Sequence, residues 1–230
     1  MIFTQKRPLL KTQLKKMNLN INKNNIEQVY TFKYLGVYLD NKLSWQEHIQ
    51  NLHVKLSKFT GIVYKIRGFV PRKAIMMLYN SLMGSYLRYG IGSWGSCSAT
   101  LFDEIKSAQN KIVKALLFLP YTADATSGYS QLGMLRVEDI YKLETIKLVH
   151  SIYHKYCPSA FSNFLSFPSH TYSTRLKQNQ CFSLSKPRTN LGKRSLKFSG
   201  VKIWSELSQN IKMISEKKKM SALVKELFLN

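Results

Sequence analysis

Apolar residues recur at intervals of three and four positions after Ser44. At about 100° of rotation per residue, this spacing keeps them on one side of an α-helix and turns Lys58 and Lys65 toward the opposite side. The pattern therefore predicts an amphipathic first helix with a charged, solvent-facing side. Its apolar side consists of Leu52, Leu56, Phe59, Val63 and Ile66.

A second helical pattern follows Pro71, a residue that suits the first position of a helix because it has no backbone N–H to leave unpaired. The pattern ends at Gly90 and Gly92, since glycine terminates helices. It predicts a second amphipathic helix. The apolar residues that continue its spacing are Ala74, Met77, Leu78, Leu82, Tyr86 and Tyr89.

A third helix is predicted to start after Ser98 or Thr100 and to stop at Pro120. Asp103 and Glu104 are expected in its first turn, where the helix dipole favours negative charge. Three consecutive helices predict a bundle. The apolar positions of the third are Leu101, Ile105, Ala108, Ile112 and Leu116.

The rest of the chain alternates between irregular and helical patterns. Residues 121–136 predict a loop with a short turn around Leu132, and residues 137–156 a fourth helix that Pro158 closes. Residues 170–191 are rich in Ser, Thr, Asn and basic residues without periodicity, which predicts an extended surface loop. Further helical segments are predicted over 196–207 and 220–228.

β-type segments occupy residues 1–4 and 29–39, and the Asn-rich stretch 18–25 between them predicts a hairpin turn. The expected fold is therefore mainly α: a helical bundle with a small N-terminal antiparallel β remnant and a basic, loop-rich C-terminal region. The predicted divisions are residues 1–43, 44–120 and 121–230, although the helices could equally pack as one unit.

The chain of 230 residues carries 35 Lys and Arg against 12 Asp and Glu, a formal charge of +23 with a pI near 10.0. This excess is far more than solubility requires and indicates a polyanionic partner.

No apolar run reaches the length of a membrane span and no signal-peptide pattern opens the chain, so we expect an intracellular protein without a membrane partner. Three widely spaced cysteines predict reduced thiols.

Residues 90–95 match the G-x-G-x-x-G pattern of dinucleotide or S-adenosylmethionine sites. Such a site needs a preceding strand and an acidic residue about 20 positions downstream. A helical pattern precedes this one, and Asp103 and Glu104 come too early. The favoured interpretation is a glycine-rich helix terminator with a packed Trp94, and a cofactor site is the alternative.

His150, His154 and Cys157 have the spacing that places three metal ligands on one face of a helix. A fourth ligand at motif spacing is missing, so we expect exposed helix residues and no metal. The adjacent acids Asp103–Glu104 and Glu138–Asp139 are expected to favour helix starts and not to bind magnesium for phosphoryl transfer.

Basic residues are the better candidates for function, because Lys and Arg pair with phosphates and neighbouring aromatic rings can stack on bases. One group lies on the outer side of the first helix and at its junction with the second. Another lies near the C-terminus, beside Tyr172 and Phe182. The candidate nucleic-acid-binding residues are Lys58, Lys65, Arg67, Arg72, Lys73, Arg175, Arg188, Lys193 and Arg194.

The stretch Tyr34–Asp40, followed by Leu43, Trp45 and His48-Ile49, resembles the turn known as the primer grip in reverse transcriptases of non-LTR, jockey-type retrotransposons. There it joins the palm of the polymerase to its thumb. The resemblance extends in order over most of the chain. Later markers are Leu78-Tyr79, Leu82, Tyr89-Gly90, Trp94-Gly95, Gln109-Asn110-Lys111, Tyr172, Thr174-Arg175, Pro187-Arg188-Thr189 and Trp204.

The resemblance implies that Tyr34, Leu35 and Gly36 hold the primer end and that the thumb-like helices follow the template-primer backbone through Lys58, Lys65 and Arg67. It places the metal-binding aspartates and their magnesium in a palm upstream of this chain. The expected protein is a truncated polymerase fragment that binds RNA or DNA, needs no cofactor or small-molecule substrate and does not polymerise alone.

Two alternatives stay open at this point. The segment from Tyr34 to Trp94 also resembles a stretch associated with alkylation repair and tRNA methylation, which would make the protein a nucleic-acid-modifying one. The chain could also be a non-functional relic whose helices expose apolar faces that a palm would otherwise cover.

Overall fold

The computed structural model describes residues 19–161, 163–167 and 182–229. The described chain is mainly helical and has two small antiparallel hairpins near its start, which confirms the predicted mainly α class with a β remnant. The strand expected over residues 1–4 lies outside the described residues. None of the described helices is long and apolar enough to cross a membrane.

Each hairpin has a two-residue turn. Residues 18–25 were predicted to be the turn between two β segments, but strands β1 (Leu19–Ile21) and β2 (Asn24–Ile26) form a hairpin of their own there. Strands β3 (Thr31–Tyr34) and β4 (Val37–Asp40) form a second hairpin within the predicted β segment 29–39. All four turn residues have positive φ, as tight hairpin turns matched to strand twist require. They are Asn22, Lys23, Leu35 and Gly36.

Seven helices follow in the first described range. They are α1 (Gln46–Ile66), α2 (Arg72–Leu78), α3 (Gly84–Arg88), α4 (Ile91–Trp94), α5 (Ala99–Leu116), α6 (Thr126–Leu132) and α7 (Val137–Tyr153). The later described residues contain α8 (Asn190–Arg194), α9 (Val201–Ser205), α10 (Gln209–Lys212) and α11 (Lys217–Leu229). Two π-helical turns, Tyr79–Met83 and Leu196–Gly200, lead into α3 and α9, and Ser159–Phe161 form a 3₁₀ turn.

Helices α1 and α5 pack along each other, while α7 contacts α3, α4, α5, α9 and α11. The first helix is as predicted: Leu52, Leu56, Phe59 and Val63 are buried, and Lys58 and Lys65 are exposed. The buried side chains of all these helices form one hydrophobic cluster. Helix α7 therefore joins the early helices to the late ones.

The predicted apolar side of the second helix is wrong. Met77 is 64% exposed, and Leu78, Leu82, Tyr86 and Tyr89 are also exposed. The buried residues are instead four apart, a spacing that drifts around a regular α-helix. The π-helical turn at Tyr79–Met83 has more residues per turn, and it brings the fourth-residue series back to one side. That series is Ile75, Tyr79, Met83 and Leu87.

The start of α5 is partly as predicted. The hydroxyl oxygen of Ser98 caps the helix by accepting a hydrogen bond from the Leu101 N–H at 3.4 Å. The first turn contains no acidic residue, however, because the helix begins at Ala99. Asp103 and Glu104 lie beyond it, so their expected place in the first turn is wrong.

The side chain of Gln109 on α5 ties three segments together inside the core. Its Nε2 donates hydrogen bonds of 2.9 Å to the Tyr79 hydroxyl and to the Leu135 carbonyl oxygen. Its Oε1 accepts from the Val137 N–H at 2.8 Å, at the start of α7. Both polar atoms of the buried Gln109 amide thereby have hydrogen-bond partners, and so do the three groups that they contact.

The predicted loop over residues 121–136 contains a helix, α6. The Asp124 carboxylate accepts hydrogen bonds from the Thr126 N–H and hydroxyl, at 3.1 and 2.9 Å, and organises its start. Gly133, with φ of 61°, ends it in the left-handed conformation. The sequence analysis placed only a short turn here, because seven residues are too few for a visible helical period.

His150 is fully buried, so the expectation of exposed histidines on the fourth helix is wrong for this residue. Its Nε2–H donates to the Ile214 carbonyl oxygen at 2.7 Å, and His154 Nε2–H donates to the Lys212 carbonyl oxygen at 3.2 Å. The two rings thus attach the segment around α10 to α7. No group of acids, histidines and cysteines suited to a metal ion occurs among the described residues.

Candidate nucleic-acid interface

The turn at Leu35-Gly36 is exposed at its tip and fixed at its base. Leu35 is 71% exposed and has φ of 46°, a left-handed conformation that is unusual for leucine. The Tyr89 hydroxyl donates a hydrogen bond to the Leu35 carbonyl oxygen. A side chain on Gly36 would contact the Tyr89 ring, so the turn lies directly against this tyrosine.

Tyr89 is itself held in place by the glycine-rich segment that follows α3. Its carbonyl oxygen accepts a hydrogen bond of 2.9 Å from Trp94 Nε1. Trp94 is fully buried and packs against the His48 ring of α1, with ring centroids 5.7 Å apart. A row of contacts therefore runs from the core of the bundle to the tip of the hairpin.

The loop between β4 and α1 is organised by the Asp40 carboxylate. It accepts hydrogen bonds from the N–H groups of Lys42, Ser44 and Trp45, at 3.0, 3.0 and 2.8 Å, and from the Ser44 hydroxyl. Partial burial acts to raise the pKa of Asp40, but these hydrogen bonds outweigh it and lower the pKa. The ionised carboxylate thus stabilises a loop in which Leu43 and Trp45 have positive φ.

A cavity of about 520 Å³ opens between the β3–β4 hairpin, α1 and α3. His48 and Leu52 contribute its buried residues, whereas Tyr86 and Tyr89 are exposed at its edge. Among the described residues that line it there are two lysines and no carboxylate. The full lining is Lys33, Leu35, Gly36, Tyr38, His48, Asn51, Leu52, Lys55, Ser85, Tyr86 and Tyr89.

Both lysines lie over aromatic rings. Lys33 Nζ is 5.4 Å from the centre of the Tyr38 ring, its partner across the hairpin, and Lys55 Nζ is 4.0 Å from the centre of the Tyr86 ring. Within the described part of the chain neither ammonium group forms an ion pair. Burial, with the nearby charge of Lys55, lowers the pKa of His48, so its ring is neutral at pH 7.

The basic residues predicted around the end of α1 lie where expected, and Lys58, Lys65, Arg72 and Lys73 are exposed. Arg67 differs from them because its guanidinium group packs within the protein. It donates to the Ala115 carbonyl oxygen at 3.1 Å and lies 4.5 Å from the centres of two rings, those of Tyr64 and Phe118. Arg67 therefore links the ends of α1 and α5.

The second predicted basic group is near the C-terminus. Arg188, Lys193 and Arg194 are exposed on and just before α8, and Arg194 lines a cavity of about 540 Å³ with residues of α5 and α7. Arg175 and Tyr172 lie outside the described residues. Phe182, expected beside the cations as a stacking ring, is 2% exposed and stacks on the inner side of the half-exposed Phe167 ring.

The adjacent acids are engaged by lysines. Lys106 forms ion pairs with Asp103, at 3.0 Å, and with Glu138. Asp139 lies 3.9 Å from Lys142. Glu138 and Asp139 are in the first turn of α7, as predicted. The four acids therefore belong to two helices, and Asp103 and Glu138 meet at Lys106, whereas Glu104 forms no ion pair among the described residues.

The glycine-rich segment 90–95 has the geometry of a helix terminator. Gly90 has φ of 65° and follows the end of α3, and Ile91–Trp94 form a single helical turn. Helix and not strand precedes the segment, and Trp94 is buried, as the favoured interpretation predicted.

Cys97 and Cys157 are free thiols, and burial raises the pKa of Cys97 to about 11.

The sequence analysis missed the lysines and tyrosines around the cavity. One signal was available: a two-residue turn at Leu35-Gly36 pairs Lys33 with Tyr38 and places both on one face of the hairpin. No sequence signal placed Lys55 and Tyr86 nearby, because their contact depends on how α1 and α3 pack.

Comparison with known proteins identified three relatives, all from Drosophila melanogaster. The chain is 25% identical over 120 residues to the probable RNA-directed DNA polymerase from transposon BS, and 21% identical over 117 residues to that from transposon X-element. It is 23% identical over 112 residues to the RNA-directed DNA polymerase from mobile element jockey. These matches confirm the predicted resemblance to non-LTR retrotransposon polymerases.

The matches cover 50%, 50% and 45% of this chain but only 13%, 13% and 12% of the respective relatives. The matched half of the chain thus corresponds to a small part of each polymerase. No family model and no solved structure matches it.

Proposed function

We propose that this chain is a non-catalytic part of a retrotransposon RNA-directed DNA polymerase that holds the backbone of a template-primer duplex. The observation that carries the proposal is the exposed Leu35-Gly36 turn beside a cavity whose described lining residues include two lysines and no carboxylate. The same turn carries the resemblance to the primer grip, and the +23 charge favours a polyanion. Tyr34, Leu35 and Gly36 contact the primer strand near its end in this proposal.

The duplex continues from the turn along the basic residues of the α1–α2 corner, all of which are exposed except Arg67. Lysine and arginine bind phosphates without reading bases, which suits a polymerase that must accept any sequence. Arg188, Lys193 and Arg194 extend the cationic surface on α8, and Arg175 is proposed to belong with them. The corner residues are Lys58, Lys65, Arg67, Arg72 and Lys73.

The first test is the salt dependence of binding to a short RNA–DNA duplex, measured by fluorescence anisotropy. If the four exposed corner residues each neutralise one phosphate, the logarithm of the binding constant falls with the logarithm of salt concentration at a slope of about −3.6. A slope near zero, or no binding at low salt, would contradict the proposal.

The second test asks whether the basic corner binds the duplex specifically or whether positive charge anywhere on the protein has the same effect. Reversal of Lys58 and Lys65 to Glu should weaken duplex binding and lower the salt slope by about 2. A matched control reverses Lys202 and Lys225, which are exposed on α9 and α11 and give the same change in net charge. Equal losses in the two variants would show that the corner has no special role.

We also propose that the chain does not polymerise by itself and that magnesium belongs to the catalytic palm of the parent enzyme. The engagement of Asp103 and Glu138 by Lys106 supports this, because these acids already have a cationic partner. A primer-extension assay with magnesium and nucleoside triphosphates tests it. We expect no extension, and any templated extension that a heat-treated sample lacks would overturn it.

A further inference from the structure

We propose that the cavity between the β3–β4 hairpin, α1 and α3 binds one unpaired nucleotide, with its base against the Tyr86 and Tyr89 rings and its phosphate between Lys33 and Lys55. The inference deepens the proposed function, since it names the part of the nucleic acid that this site takes. Holding a duplex requires only backbone contacts, whereas a cavity of this kind can accept a base that has left the stack.

The size of the cavity fits one nucleotide. Its volume of about 520 Å³ lies within the range of roughly 300–1,000 Å³ that is common for small-molecule sites. The buried side chains of His48 and Leu52 give it a closed floor, and the exposed Tyr86 and Tyr89 stand at its mouth. A base entering from solvent therefore meets aromatic surface first.

The charges around the cavity favour a phosphate. Lys33 and Lys55 approach from opposite elements, the hairpin and α1, and both lie on aromatic rings instead of pairing with carboxylates. No acidic residue occurs among the described residues of the lining, so an incoming phosphate would meet no like charge there. Each ammonium group can leave its ring for a phosphate at small cost, since exposed cation–π contacts are weak.

Two polar side chains on the walls add acceptors for the sugar or base. The Ser85 hydroxyl donates its proton to the Ser81 carbonyl oxygen at 2.7 Å, which leaves its oxygen free to accept. Asn51 Nδ2 donates to the Glu47 carbonyl oxygen at 2.8 Å, which leaves its Oδ1 as an acceptor. Hydroxyl groups of a ribose or amino groups of a base are suitable donors to both.

The experiment compares a blunt duplex with the same duplex carrying one unpaired 3′ nucleotide, each labelled at the far end and measured by anisotropy. We expect about tenfold tighter binding of the unpaired end, an effect typical of one base stacked on an aromatic side chain. Tyr86→Leu should abolish this preference. Lys55→Gln should reduce it.

Two matched controls use residues outside the cavity. Tyr121→Leu removes an exposed tyrosine that also lies under a lysine, with Lys114 Nζ 5.5 Å from the ring centre. Lys218→Gln removes one exposed positive charge from α11. Both should retain the preference. A preference that persists in Tyr86→Leu would overturn the proposal, and so would equal binding of blunt and unpaired ends if no free nucleotide binds either.

A free nucleotide carries the same base, sugar and phosphate groups as an unpaired nucleotide at a duplex end, so the cavity could bind it too. Adenosine monophosphate is the probe for this case. If calorimetry detects its binding, and Tyr86→Leu removes that binding, the cavity takes nucleotides even when the protein binds no duplex. If neither the mononucleotide nor the unpaired end binds better than its control, the inference fails, while salt-dependent binding of the blunt duplex would still stand.

Discussion

The hydroxyl group of Tyr89, at the end of α3, donates a hydrogen bond to the carbonyl oxygen of Leu35 at the tip of the β3–β4 hairpin. These residues are 54 positions apart in the chain, and through this contact the bundle fixes the turn. Because Trp94 in turn donates to the Tyr89 carbonyl oxygen, the position of the hairpin depends on the packing of the core.

Replacing Tyr89 with Phe should loosen the turn while the bundle stays folded. The lost hydrogen bond is expected to lower the free energy of unfolding by about 1 kcal/mol. Hydrogen exchange at the backbone N–H groups of Gly36 and Val37 should become faster, and duplex binding should weaken. Tyr121→Phe, at an exposed position away from the hairpin, is the control. Unchanged exchange in Tyr89→Phe would mean that the hydroxyl does not hold the turn.

Alanine should have opposite effects at two glycines. Gly36 has φ of 83°, so Gly36→Ala forces a side chain into a left-handed conformation and should destabilise the protein by about 1–2 kcal/mol. Gly61 lies within α1 with no atom near an added Cβ, so Gly61→Ala should stabilise it by about 0.5–1 kcal/mol. Urea unfolding of both variants checks the signs. A stabilising Gly36→Ala would contradict the turn geometry.

Asp40 should make stability depend on pH in the acid range. Its folded pKa is below the ordinary value of 3.8, so the ionised carboxylate stabilises the folded state at all pH values above 3.8. This stabilisation is lost as the pH falls below 3.8 and through the folded pKa. The check is the free energy of unfolding from pH 6 to pH 2, compared between the unmodified protein and Asp40→Asn.

In Asp40→Asn the contribution should be absent at every pH, because the amide nitrogen cannot accept from Trp45 or from the Ser44 hydroxyl. The loss at pH 6 should be about 1.5–3 kcal/mol, typical of hydrogen bonds to a charged group. The two proteins should converge in stability toward pH 2. A constant difference over the whole range would exclude Asp40 as the titrating group.

Gln109→Leu should be among the more damaging single changes to the core. It leaves the Leu135 carbonyl and the Val137 N–H buried without their partner, and each unsatisfied group costs about 1–3 kcal/mol. The Tyr79 hydroxyl, whose pKa burial raises to about 12, also loses its donor. We expect the free energy of unfolding, measured in urea, to fall by about 3 kcal/mol. Gln131→Leu, at an exposed position of α6, should change the free energy of unfolding little.

The helical content of the fold and the inward side of α1 could be predicted because Leu52, Leu56, Phe59 and Val63 repeat over about three turns of one regular helix. The inward side of the next helix could not, since both of its sides are apolar and a π-helical turn changes the period. Met77 and Leu82 fit an α-helical stripe and yet face solvent. The period alone does not show which of two apolar sides meets the core.

Part of the candidate site could likewise be predicted from sequence, and part could not. The Leu35-Gly36 turn could be located from sequence only because the stretch resembles a known motif, since the residue pattern alone predicted one β segment over residues 29–39. The cavity beside it could not be located, since Lys55 and Tyr86 approach only after α1 and α3 have packed. His150 was misjudged for a related reason: its partner, the Ile214 carbonyl, is 64 positions away.

The π-helical turn at Tyr79–Met83 also limits which insertions and deletions the protein can accept. Removing one residue there would restore a regular helix and leave everything beyond it facing as before, because the wider turn accommodates one extra residue. Adding one residue would instead rotate the later part by about 100°, so Leu87 would leave the core and Tyr89 would turn away from the hairpin. A shorter descendant of this chain could therefore keep the hold on Leu35, whereas a longer one would lose it while every helix could still form.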